Sequence, residues 1–79
     1  MNDLMWDKGM IEEFSNMACL TDEEMIVLNY WAHGKSIAYT AMKSHMSDSK
    51  VSGIRKRLRA KYDRVQPRSK LLPARTTNR

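Results

Sequence analysis

Seventy-nine residues, 42% hydrophobic and 29% charged, fit one small globular domain rather than a disordered chain. A lone cysteine, Cys19, excludes an internal disulfide framework, and no apolar run approaches the ~18 residues of a membrane span. The net charge of +5 is unevenly laid out: residues 1–24 hold seven acids against Lys8, while residues 43–79 hold twelve bases against Asp48 and Asp63, a layout that suits a polyanionic partner.

Taken in chain order, Leu4, Met10, Ile11, Phe14 and Met17 recur at helical spacing and predict a first helix over about residues 2–16, with Trp6 beside its apolar face and Asp3 and Asp7 near its positive end. Thr21-Asp22-Glu23-Glu24 is a capping-box pattern, flanked by Leu20 and Met25 as a hydrophobic staple. The helix it starts carries Val27, Leu28, Trp31 and Ala32 and stops at Gly34, which adopts the left-handed cap conformation at little cost. Ser36 caps a short helix over about 37–45, with Ile37, Thr40, Ala41 and Met42 as its packing residues. Ser47 caps the clearest helix, in which Val51, Ile54, Leu58, Tyr62 and Val65 form a continuous apolar stripe that Pro67 closes. The expected fold is all-α: a small four-helix domain with a helix-turn-helix over residues 1–66, followed by a disordered, basic, Pro-containing tail over 67–79. In that tail Leu71 and Leu72 are available to dock and residues 76–79 are expected to be disordered.

Helices over 37–45 and 48–62, joined by about two residues around Met46 and Ser47, have the spacing of a helix-turn-helix. At 100° per residue, Ser49, Ser52, Gly53 and Lys56 fall opposite the apolar stripe. Lys50, Arg55, Arg57 and Arg59 line its flanks, with Lys61 and Arg64. A small, polar outer face between cationic flanks suits the major groove of duplex DNA: Ser49, Ser52, Gly53 and Lys56 toward base edges, Lys50, Arg55, Arg57 and Arg59 toward phosphates. The competing reading is a basic, solvated helix, which the like charges at i, i+4 would slightly destabilise.

Leu20-Thr21-x-x-Glu24-x-x-Val27-Leu28, then Ala32-x-Gly34-x-Ser36, Ala41, Ser47 and Val51, resemble the DNA-binding domain of LuxR-type regulators over about residues 20–62. The promoter-reading domain of sigma factors is similar. The resemblance implies a transcription regulator whose reading helix begins near Asp48, with contacts at Lys50, Ser52, Gly53 and Lys56. This chain has Thr40-Ala41 where the family shows Ile-Ala, Ser44 where it shows Leu, Lys50 where it shows Thr and Ile54 where it shows His. The family's last helix, which often dimerises, is replaced by the stretch from Pro67 to Pro73, so a homodimer would need another contact, for which the N-terminal helix is a candidate.

His33, His45 and Cys19 lack the spacing of a metal site, and no nucleophile–base pair or phosphate loop is present, so neither an enzyme nor a metal or other cofactor is expected. Cys19 and the internal methionines are expected as core fillers, with a Met-rich protein-binding face as the alternative for the latter. The alternative function is a small adaptor that binds another regulator or RNA polymerase. A cytoplasmic location is expected, because the N-terminus begins acidic, unlike a secretory signal. The basic tail is expected either to lie on phosphates or in a minor groove as an arm, or to be a disordered, solubilising end.

Overall fold

The computed structural model describes residues 6–74. Each helix start is set by one oxygen-bearing side chain that accepts an otherwise unpaired backbone N–H. Asp7 accepts from Met10 N (2.8 Å) and opens α1, Lys8–Ala18. Thr21 accepts from Glu24 N (3.2 Å), Glu24 Oε1 accepts in return from Thr21 N (3.0 Å), and α2 runs Asp22–Ala32. Ser36 opens α3, Ile37–Ser44, and Ser47 opens α4, Asp48–Val65. A 3-10 turn, Gln66–Arg68, continues from α4. The described residues contain no strand, and no helix is long and apolar enough to cross a membrane.

Three helix ends use the left-handed region, with Cys19, at φ 52°, ending α1. Gly34, at φ 78°, closes α2, as its lack of a Cβ predicts. His45, at φ 59°, ends α3, and its N–H and that of Met46 both reach the Ala41 carbonyl. This tight turn leaves residues 45–47 to join α3 and α4.

α4 is the central element and packs against α1, α2 and α3. Its stripe of Val51, Ile54, Leu58, Tyr62 and Val65 is buried against Phe14 and Met10 of α1, Val27, Leu28 and Trp31 of α2, and Ala41 of α3. Thr40 is also fully buried; its hydroxyl donates to the Ser36 carbonyl (2.8 Å), so the polar group is satisfied within its own helix. Phe14 and Trp6, tilted against each other, both meet Tyr62 edge-on in an aromatic cluster that fixes α1 to the C-terminal half of α4.

Several expectations are corrected. α1 begins at Lys8 rather than near Asn2, because Asp7 supplies the cap, and it runs past Asn16 to Ala18; Asp3 and Leu4 lie outside the described residues. Cys19 is exposed, in the left-handed turn after α1, where its side chain cannot reach the core. Met42 is 64% exposed rather than core, since Thr40 and Ala41 take the buried face of α3. Pro67 does not end the chain's order: Leu72 is buried while Leu71 is exposed. The Gln66 amide donates to the Leu72 carbonyl (3.1 Å), the Tyr62 hydroxyl donates to the Pro73 carbonyl, and Ser69 donates to Glu13 of α1 (2.8 Å). The segment after α4 is thereby fastened to α1 and to the buried side of α4. Residues 76–79, expected to be disordered, lie outside the described residues.

Candidate nucleic-acid interface

Because α4 buries one stripe completely, its opposite face is committed to solvent. Ser49, Ser52, Gly53 and Lys56 are all exposed on that face, over the first three turns of the helix. Lys56 makes no hydrogen bond or ion pair among the described residues. A Cβ added at Gly53 would meet nothing within 4 Å. A glycine inside a helix costs about 1 kcal/mol relative to alanine, and here no neighbour among the described residues requires it.

The four flanking cations are placed by α2, which crosses α4 and touches both of its flanks. On one flank, Lys50 Nζ lies 2.7 Å from Glu23 Oε2 and Arg57 Nε lies 3.2 Å from Glu24 Oε2; Lys61 Nζ, on the same side, lies 2.8 Å from Glu24 Oε1. On the other flank, the guanidinium groups of Arg55 and Arg59 lie 4.5 and 5.6 Å from the centroid of the Trp31 ring. Arg55 also donates to the Lys35 carbonyl (2.7 Å). Burial first, and the charge of Arg59 second, push the Arg55 guanidinium below its ordinary pKa; an arginine keeps its charge regardless. Among the described residues Trp31 Nε1 and Arg55 Nε are buried with no hydrogen-bond partner, so packing of the ring against the guanidinium groups holds this corner.

The two acids at the start of α2 differ sharply. Glu23 is half-exposed, whereas Glu24 is 1% exposed and anchors two cations while closing the capping box. Burial alone would raise the Glu24 pKa. The hydrogen bond from Lys61, with those from the Thr21 backbone and Arg57, outweighs it and lowers the value to about 2. The sequence reading assigned Glu24 only its capping role.

It also missed a second cationic cluster beside the first. Lys35 and Lys43 lie 5.0 and 5.7 Å from the centroid of the Tyr39 ring, which packs edge-on against Tyr30 at 5.8 Å. The Arg55–Lys35 hydrogen bond makes this cluster contiguous with the Arg55 flank of α4. Its signal was the i, i+4 spacing of Tyr39 and Lys43 on α3, with Lys35 just before the Ser36 cap.

On the far side of α2, Trp6, Ile11, Met25 and Ala32 line an open groove of about 540 Å³ between α1 and α2, together with Asp7, Lys8, Glu12, Asn29 and His33. No family model, curated protein or solved structure matches this chain.

Proposed function

We propose that this chain is a duplex-DNA-binding regulator of transcription that lays residues 48–62 of α4 in the major groove, with α3 and α4 acting as a helix-turn-helix. The observation that carries this reading is the face of Ser49, Ser52, Gly53 and Lys56: exposed, small and polar, with a cation that has no partner and a glycine that meets no neighbour among the described residues. Such a face lets a helix backbone approach base edges closely. The resemblance to LuxR-type reading domains points to the same helix.

Phosphate contacts would come from both flanks. Arg55 and Arg59, held against Trp31, reach a backbone with little loss of side-chain freedom. Arg57 uses its Nε on Glu24, which leaves the other nitrogens of its fork for a phosphate. Lys50 would complete the first turn, and Lys35 and Lys43 would extend the footprint over α3.

Two substitutions on this face separate stability from binding. Gly53→Ala should raise stability by about 0.5–1 kcal/mol in urea denaturation, because the site is helical and open. The same change should weaken duplex binding, because the added methyl group stands in the contact face. Lys56→Ala should weaken a site selected from random duplexes by about 1–3 kcal/mol and random DNA by less. Arg59→Ala should weaken both alike, since phosphates carry no direct sequence information. Gly53→Ala and Lys56→Ala proteins that bind duplex DNA as the parent does would refute the reading.

The α1–α2 groove favours a second reading, a small adaptor that binds another regulator or RNA polymerase through an apolar floor with a mixed polar rim. Titration with salt separates the two. Duplex binding by this basic face must weaken steeply as salt rises, about 0.9 in log K per unit log salt for each phosphate contacted.

A further inference from the structure

The partners of the cations along the flanks of α4 are unlike. Glu24 is buried, and its grip on Arg57 and Lys61 belongs to the packing of α2 on α4. Glu23 and Lys50 are each 49% exposed, and their contact is one oxygen to one ammonium at 2.7 Å. Exposed pairs of this kind contribute little to stability, so a stronger anion displaces them readily. Lys50 stands beside Ser49 in the first turn of α4, at the edge of the face proposed to meet DNA. Glu23 does not serve the α2 cap, which Thr21 and Glu24 complete between themselves. The favourable interaction of an acid with the start of α2 is supplied equally by Asp22.

We infer that Glu23 stands in for a DNA phosphate on Lys50, so that the free protein carries its own competitor and duplex binding exchanges one anion for another. The inference rests on the duplex-binding reading above. Its consequence is a brake on sequence-independent affinity. Contact of Lys50 with a phosphate must first break the pair with Glu23, and the released carboxylate is then left beside a polyanion. A regulator gains from this, because phosphate attraction is the term that holds it at wrong sites.

The test is a double-mutant cycle on the full chain, with binding to a random-sequence duplex followed by fluorescence anisotropy and folding checked by circular dichroism. At about 0.15 M salt, charges more than ~8 Å apart are largely screened, so a local exchange is separable from general repulsion. Glu23→Gln should tighten binding about two- to five-fold, the range set by an exposed pair. It should also steepen the salt slope by up to about 0.9. Asp22→Asn, which removes an equal charge one residue away, should change affinity much less. With Lys50→Met in place, Glu23→Gln should do no more than Asp22→Asn. Glu23→Gln and Asp22→Asn effects of equal size in the parent chain, or a gain from Glu23→Gln that survives Lys50→Met, would overturn the inference while leaving the DNA reading intact. A parent chain that binds no duplex, or binds without salt dependence, would overturn both.

Discussion

Replacing Glu24 with Ala should cost about 3–5 kcal/mol, the range for breaking a buried ion pair from one side. Domains of this size are stable by only roughly 4–12 kcal/mol, so the variant should be marginal at room temperature. Three contacts are lost together: the return arm of the capping box to Thr21 and the anchors of Arg57 and Lys61. Arg57, being more than half exposed, can turn to water, which keeps the loss from exceeding this range. Glu24→Gln keeps the shape and an acceptor for Thr21 but removes the charge, and should cost about half as much. The pH dependence has a definite sign. The folded-state pKa of Glu24 is lowered to about 2, so its contribution is fully present above the ordinary carboxylate range and disappears as pH falls toward 2. The stability gap between parent and Glu24→Gln, measured by urea denaturation, should therefore be constant above about pH 5 and shrink steadily below it. A gap that stays constant down to pH 2 would show that the charge of Glu24 is not what holds α2 to α4.

Phe14→Ala should be of similar size, about 3–5 kcal/mol, as for other buried phenylalanines. Phe14 is fully buried, with its ring 5.3 Å from that of Tyr62 and 5.9 Å from that of Trp6. Removing it opens a cavity between α1 and α4 and leaves two aromatic rings without their shared neighbour. In a domain this small, each 1 kcal/mol lowers the melting temperature by about 4–8 °C, so a fall of more than ten degrees is expected in a thermal melt. The result decides what α1 is for. An α1 that served only as a detachable partner-binding arm would let Phe14→Ala melt like the parent, and the packing of α1 on α4 would then not stabilise the domain.

What the sequence by itself determined was local. Thr21 with Glu24, Ser36 and Ser47 marked three helix starts, and Gly34 marked an end, because a cap joins residues only three or four apart. The stripe from Val51 to Val65 was equally legible, since a helix's period turns spacing directly into a face, and that face assigned Ser49, Ser52, Gly53 and Lys56 to solvent. The start of α1 was misplaced because two aspartates, Asp3 and Asp7, offered themselves as the acid near its first turn, and only the bond from Met10 N distinguishes Asp7. The tertiary structure alone decided which partner each cation of α4 meets. Lys50 and Glu23 are 27 residues apart, Arg57 and Lys61 are 33 and 37 from Glu24, and Arg55 and the Lys35 carbonyl are 20 apart. Those pairings follow from where α2 crosses α4, and the crossing is set by how the two apolar stripes interlock, which periodicity does not encode. For the same reason Glu24 was legible as a cap but not as a buried anchor, and Leu72 as a candidate to dock but not as the residue that brings the tail against Tyr62 and α1.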